Sequence, residues 1–227
     1  MGNLILIPTP IGNLKDITYR AVEYLKEADL ILAEDTRTSS KLCSHYEIGT
    51  KLTAFHMNNE HKVLHRFIEL LKAGKTLAMV SDAGTPGISD PGFLLVREAI
   101  KEGIKVECLP GATAVIPALV ASGMSCDRFY FEGFLPHKKG RQKKILALKN
   151  LDQTVVFYES PHRIVKLLQQ LSDNGFSENK IAVCRELSKL HEEIWRGTVK
   201  EALEEFSTRP SIKGEIVVVL DPNQTSA

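Results

Sequence analysis

Cysteine is scarce and scattered: Cys43, Cys108, Cys126 and Cys184 form no C-x-x-C pair. That spacing argues against a zinc site and against a disulfide framework, so all four are expected to be small buried hydrophobes. No apolar run of about 18 residues exists, which excludes a membrane-spanning helix. The opening "MGNLILIPTPIGN" lacks a basic stretch and meets proline too early for a signal peptide. Leu6 stands where myristoylation requires Ser or Thr. A cytoplasmic protein without membrane contact is expected. Charge of one sign is also missing, since 29 Lys and Arg against 28 Asp and Glu leave a net +1. Dedicated nucleic-acid-binding domains are usually more basic, so any grip on RNA has to be local. Two phosphate cradles are absent as well: no G-x-x-x-x-G-K-[ST] occurs, and no G-x-G-x-x-G opens a helix.

What is present is an alternation of short apolar runs with amphipathic segments. "NLILIP", "LILAED", "TLAMVSD" and "KVECLP" read as strands. Between them lie helical patterns: "ITYRAVEYLKEA", with Ile17, Ala21, Val22 and Leu25 on one face, then "TRTSSKLCSHY". "NEHKVLHRFIELLKAG" turns Val63, Leu64, Phe67, Leu70 and Leu71 inward and closes at Gly74, and "PGFLLVREAIKEG" follows. This is the pattern of an α/β domain with a largely parallel sheet. The second half differs. "RFYFEGF", "QTVVFYES", "KIAVCREL", "HEEIWRG" and "GEIVVVLD" read as strands, with helices near 139–149, 162–173 and 198–206. "HEEIWRGTV" follows "CREL" after a short turn, so antiparallel pairing is expected there. We place the domains at 1–114 and 115–222, with "PGATAVIPALVASG" bridging two lobes and a frayed tail at 223–227.

Open α/β sheets bind ligands beyond the carboxyl ends of their strands. Three turns lie at such ends: "PTPIGN", "SDAGTPGISDPG" and "PGATA". Glycine there allows positive φ and close approach of backbone to a ligand. Three such turns at one edge point to a shared pocket lined by backbone amides and carbonyls, suited to a nucleoside-like ligand without phosphates. Each turn alone is ordinary βα chemistry.

"PTPIGNLKDIT", "AEDTR", "VSDAGTP", "SDPG", "DRFYFEGFLP", "VFYESPHR", "CRELSK" and "KGEIVVVL" occur in this order across almost the whole chain. Together they resemble the tetrapyrrole methylase superfamily, and within it the branch that modifies small-subunit ribosomal RNA. The resemblance implies a two-lobed α/β fold: an N-terminal, mostly parallel sheet domain, a C-terminal mixed-sheet domain and a ligand cleft between them. It implies S-adenosylmethionine as cofactor, no metal, and methylation of the 2′-hydroxyl of a cytidine in the decoding region of 16S ribosomal RNA. The substrate is then the RNA or the 30S particle, and the enzyme is a homodimer. Carried over by motif, Pro8, Asp82, Ala83, Gly84, Thr85, Ser89, Ala112 and Thr113 hold the donor from the first lobe, with Leu135, Leu187 and Gly214 from the second. Two departures stand out. Many relatives extend beyond "GEIVVVL" by a small helical segment, whereas this sequence ends seven residues past Leu220. The first turn, "PTPIGN", is not the glycine-rich loop of other branches, which favours RNA over a tetrapyrrole.

A second grip on RNA is offered by "HKKGRQKK", where Lys138, Lys139, Arg141, Lys143 and Lys144 fall within residues 137–144. Such grouping releases counterions from a phosphate backbone, and at a helix start it opposes the dipole, so a purely structural role is disfavoured. Arg37, Arg163 and Arg185 are further phosphate contacts or ion-pair partners. For the chemistry, Glu159, Glu186 and Lys189 are candidate bases, Arg185 a candidate stabiliser of the alkoxide, and Asp35, Asn59 and Glu60 lie in matching segments. We take Glu159, Arg185 and Lys189 as the catalytic set. His61 and His65 are spaced i, i+4 but lack a third ligand. Phe129, Tyr130, Phe131, Phe134 and Trp195 are candidates for stacking on bases, although alternation sends about half of the strand group to the core. Two rival readings remain: methylation of a tetrapyrrole precursor, and a non-catalytic ribosome-assembly factor that retains the donor pocket.

Overall fold

The structure, a computed structural model, describes residues 1–225, of which 224 and 225 are described by backbone alone. The chain divides into two compact units, Met1–Thr113 and the chain from Ala114 onward.

The first unit is built on five parallel strands: β1 (Asn3–Leu6), β2 (Leu30–Ala33), β3 (Leu52–Ala54), β4 (Leu77–Val80) and β5 (Lys105–Cys108), in the order β3-β2-β4-β1-β5. Every residue of β2 and β4 is buried. That explains their unbroken apolar sequence, since a parallel sheet is covered on both faces. Leu4, Leu6, Leu32, Leu77 and Met79 pack on one face with Phe67, Leu71 and Leu95. The last three come from helices α3 (Glu60–Lys72) and α4 (Phe93–Lys101). Ile5, Ile7, Ile31, Ala78 and Val80 pack on the other face with Ala21, Leu25 and Cys43. Those come from α1 (Tyr19–Glu27) and α2 (Thr36–His45). Both of these helices start at side-chain caps: Thr18 accepts from the Ala21 amide and Asp35 from the Arg37 amide. Strand β3 escaped the sequence reading, because three half-buried residues are too few to show a period.

The second unit carries a mixed sheet. Its elements are α5 (Val115–Ser122), β6 (Phe129–Phe134), α6 (Arg141–Ala147), β7 (Thr154–Glu159), α7 (Ile164–Leu171), β8 (Asn179–Arg185), β9 (Glu193–Thr198), α8 (Val199–Thr208) and β10 (Ile216–Thr225). The order is β6-β7-β10-β8-β9, with β6 and β7 parallel and the other pairings antiparallel. Helices α6, α7 and α8 cover one face through Ile145, Leu167, Leu168, Leu171, Ala202 and Phe206. Helix α5 packs against β7, β8, β9 and β10. Most of the segment expected to bridge two lobes is therefore a helix of the second unit. Strand β10 continues into the 223–227 tail expected to fray, pairing Thr225 with Asn179 past a bulge. Residues 226 and 227 lie outside the described residues.

Among the described residues, no helix is long and apolar enough to cross a membrane. The cysteine expectation needs correction: Cys43 and Cys184 are buried, but Cys108 and Cys126 are exposed. Cys108 ends β5, an edge strand whose two terminal residues face solvent. Burial pushes the Cys184 thiol up to about 11.

Candidate functional site

The crossover from β1 runs to β2 on one side of the sheet, and that from β4 runs to β5 on the other. The turns after β1 and β4 therefore leave side by side at the switch point, where open α/β sheets bind ligands. Hydrogen bonds weld the two. Thr9 and Gly84 form an isolated antiparallel bridge, each amide donating to the other's carbonyl at 2.9 Å. The buried Thr9 hydroxyl donates to the Ser81 carbonyl at 3.1 Å. The third turn joins through Thr85, whose hydroxyl donates to the Ala112 carbonyl at 3.3 Å. Gly111 lies so close to the buried Pro8 that an added Cβ would stand 2.8 Å from the proline Cβ. Gly84 (φ +80°) occupies the left-handed region that suits glycine, and Ser89 (φ +64°) sits there without that freedom. The structure thus brings Pro8, Gly84, Thr85 and Ala112 together, with Asp82 and Ala83 in the same turn and Thr113 directly after.

Carboxylates line this edge, and two of them escaped the sequence reading. Asp82 accepts from the Asp35 amide at 3.1 Å, tying the turn after β4 to the one after β2. Burial, together with the negative charges of Glu34 and Asp82, pushes Asp90 up to about 7. Glu34 is raised by burial and by Asp82, and Asp82 chiefly by burial. Neither Glu34 nor Asp90 stood out, because "AED" and "SDPG" read as turn residues. The signal available was a carboxylate within a residue of the end of β2 and another in the turn after β4. Asp35 itself is held by Arg37 down to about 2, so it and Arg37 serve each other. Asn59 accepts from the His56 amide and donates to the Ala54 carbonyl, closing a turn before α3.

In the second unit, β6 and β7 end at the same edge at which β10 begins and β8 ends, since Ile216 pairs with both Glu159 and Arg185. Leu135, Leu187 and Gly214 therefore share one edge. Both leucine side chains are buried, so they offer backbone rather than side chain. Gly214 takes φ +92° against Glu186, whose Cδ would lie 2.4 Å from an added Cβ. Glu186 (φ +53°) and Ser188 (φ +66°) hold the same conformation without glycine's tolerance.

The three residues taken as the catalytic set are all engaged in ion pairs. Glu159 is buried, and its two oxygens accept from Arg141 and Arg163, each at 2.9 Å. Arg141 also donates to Gln170 at 2.8 Å, and the Ser160 amide donates to Glu159 at 2.7 Å. Both carboxylate oxygens of Glu159 are thus engaged inside the second unit, away from solvent. Arg141 is for the same reason not a surface contact for RNA. Arg185 donates to Glu193 at 3.0 Å and to the carbonyls of Lys213 and His191. Glu193, drawn down to about 2 by Arg209 against its own burial, with Arg185 assisting, is a firm partner. Lys189 bridges Glu186 at 2.8 Å and Glu215 at 3.0 Å. These ion pairs brace the loop between β8 and β9; they do not leave a reactive group exposed. Part of this pairing is local, Glu159 with Arg163 and Glu186 with Lys189; the contacts of Arg141, Glu193 and Glu215 are tertiary.

Of the basic segment, Lys138, Lys139, Lys143 and Lys144 are exposed. Lys144 pairs with Glu132 at 2.7 Å, which leaves Lys138, Lys139 and Lys143 without a salt bridge among the described residues. The aromatic group divides. Tyr130 and Trp195 pack against the core, Trp195 edge-on to Phe206, while Phe134 remains more than half exposed.

The chain matches the tetrapyrrole (corrin/porphyrin) methylase family over residues 3–203. Among curated proteins it is 47% identical over 223 residues to ribosomal RNA small subunit methyltransferase I of Halalkalibacterium halodurans, covering 98% of this chain and 76% of that one. It is 45% identical to the protein of the same name from Thermotoga maritima, with 97% of this chain and 98% of that one covered. Solved structures share the fold at low identity. A uroporphyrin-III-C-methyltransferase from Thermus thermophilus superposes with TM-score 0.66 at 19% identity, over 98% of this chain and 96% of that one. A diphthine synthase superposes with TM-score 0.73 at 16% identity, over 96% and 90%. A parallel sheet with welded turns at its switch point, a mixed sheet beside it in sequence and close relatives along nearly the whole length lead to one conclusion: the chain belongs to the tetrapyrrole methylase family, in its ribosomal RNA small subunit methyltransferase I branch.

Proposed function

We propose that this protein transfers a methyl group from S-adenosylmethionine to the 2′-hydroxyl of a cytidine in the decoding region of 16S ribosomal RNA. It acts in the cytoplasm, on the RNA or the small-subunit particle. The observation that carries the reading is the welded edge of the first sheet, formed by Thr9, Gly84, Thr85 and Ala112, in a chain so similar to rRNA methyltransferases.

The donor fits that edge. It bears a sulfonium and an ammonium but no phosphate, and the edge has carboxylates (Glu34, Asp82, Asp90) and lacks a phosphate loop. Pro8, Asp82, Ala83, Gly84, Thr85, Ser89, Ala112 and Thr113 would hold it from the first unit, and Leu135, Leu187 and Gly214 from the second. When bound, the donor supplies an electrophilic methyl group on sulfur, and no metal is required. The protein's contribution is positional. Fixing the partners of a displacement in reactive geometry is worth roughly 7–11 kcal/mol of barrier. With Glu159, Arg185 and Lys189 committed to ion pairs, Asp90 is the acceptor we assign to the hydroxyl proton. Its pKa of about 7 lets it exchange a proton at neutral pH. Lys138, Lys139, Lys143 and Lys144 would meet the RNA backbone. A homodimer is part of the same reading; Phe93 and Ile100, exposed on one face of α4, are where we would look for its contact.

The test is transfer of a tritiated methyl group from the donor to small ribosomal subunits from a strain lacking this gene. Label on a single cytidine ribose supports the reading. Donor binding without label on any ribosomal particle turns it toward an assembly factor, and label on a tetrapyrrole precursor turns it toward the rest of the family.

A further inference from the structure

Strand β6 is an edge strand of the second sheet. Plain alternation would put Phe129 and Phe131 on one face and would return Phe134 to the opposite face with Tyr130. The strand departs from that. Its register against β7 slips between Phe131 and Gly133, so that Phe131 pairs with Val156, Gly133 with Phe157 and Phe134 with Tyr158. Gly133 takes φ +70°, the left-handed conformation that lets glycine accommodate an extra residue in a strand. The bulge brings Phe134 onto the face of Phe131. Both rings lie against Tyr158, with centroids 5.2 Å away for Phe131 and 5.3 Å for Phe134. The core lies on the other face, with Tyr130, Val155 and Phe157. Phe134 is 53% exposed, so its ring is supported from beneath and open above.

From Phe134 the chain passes through Leu135 and Pro136 into the basic segment, and no carboxylate occurs between Glu132 and Asp152. Lys138, Lys139 and Lys143 are exposed and form no salt bridge among the described residues. An apolar protein partner would leave those three cations unmatched. A nucleic acid strand matches both features, because phosphates meet the lysines and a base meets the ring. The strand has to be single, since a duplex hides the faces of its bases. We infer that Phe134, backed by Tyr158 and Phe131, is a stacking platform for an unpaired base of the RNA substrate, whose backbone runs along Lys138, Lys139 and Lys143. The inference rests on the proposed RNA reading and deepens it with a specific contact.

The experiment is a fluorescence titration of the full chain with a single-stranded oligoribonucleotide carrying 2-aminopurine, which stacking quenches. The parent chain quenches the probe. Phe134→Leu binds about tenfold more weakly or worse and loses the quenching, and Phe134→Trp restores both. Gly133→Ala, which strains the bulge, behaves like Phe134→Leu. Thermal melting and S-adenosylmethionine affinity, measured on Phe134→Leu and Phe134→Trp, stay at parental values. Equal binding and quenching by Phe134→Leu overturns the platform, as does equal affinity for the same sequence presented as a duplex, or a preference for anionic phosphatidylglycerol vesicles over RNA. If the parent also methylates small subunits, any of these results removes the platform alone. A parent chain that neither binds donor nor methylates subunits overturns the proposed function with it.

Discussion

Thr9 and Gly84 donate to each other's carbonyls at 2.9 Å, locking the turn after β1 to the turn after β4. Gly84 needs its positive φ for this, while its surroundings are roomy: an added Cβ would lie 3.7 Å from the nearest atom, Ile11 Cγ2. Gly84→Ala therefore introduces backbone strain of about 1–2 kcal/mol. Gly111→Ala acts by a different cause, a 2.8 Å contact with Pro8 that has to push two turns apart. Both substitutions are expected to weaken S-adenosylmethionine binding about tenfold or more by calorimetry. Gly49→Ala, where nothing lies within 4 Å, should leave it unchanged. Parental affinity in Gly111→Ala would remove the first edge from the donor site.

The titration of Asp90 gives stability a pH dependence. Its folded pKa, about 7, lies above the ordinary value of 3.8, so the folded state holds a proton that the unfolded chain has released between those pH values. This contribution to stability is fully present below about 4 and is lost as pH rises through 7. Allowing for solvent screening of a half-buried group, the loss is about 1–2 kcal/mol. Asp90→Asn is expected to flatten the fall in urea stability between pH 5 and 8. It should also lower kcat by about 10²-fold or more if Asp90 accepts the proton. An unchanged pH profile of kcat in Asp90→Asn would take that role away.

Glu159 holds Arg141 and Arg163 inside the second unit. Glu159→Gln leaves the buried Arg141 and the partly buried Arg163 short of their counter-charge, and breaking a buried pair costs about 3–5 kcal/mol. The expected phenotype is a large drop in the unfolding midpoint. In whatever fraction stays folded, donor affinity should be near normal. A variant that melts like the parent but has lost turnover by orders of magnitude would restore Glu159 to the chemistry.

Lys138, Lys139 and Lys143 should each contribute about one counterion. Replacing all three with Ala should reduce the slope of log affinity for small subunits against log salt by about 2–3. Donor binding should not move. Arg141→Ala, by contrast, is expected to destabilise the fold, because its guanidinium is an interior ion-pair partner and not a surface charge.

Much of the fold was legible because its signals are local. Buried parallel strands must be continuously apolar, as "LILA" and "LAMV" are, and surface helices must be apolar at helical spacing, as in "VLHRFIELL". The three turns that weld the first edge were visible for the same reason: each carries glycine or proline at the end of a strand run. The order of the motifs placed the chain in its family. What sequence could not give was the state of its charged and aromatic side chains. Glu159, Arg185 and Lys189 look reactive in one dimension and are held in ion pairs, partly by near neighbours in sequence, Arg163 and Glu186, and partly by Arg141, Glu193 and Glu215, which arrive from farther along the chain. Asp90 reads as a turn residue until burial and two neighbouring carboxylates raise its pKa. Phe129, Tyr130, Phe131 and Phe134 read alike as candidates for stacking, and only the bulge at Gly133 decides that Phe134 shares the open face with Phe131. Periodicity and turn chemistry are properties of neighbours along the chain, so sequence determines them. Electrostatic environment and exposed face depend on which distant residues arrive, and only the tertiary structure decides that.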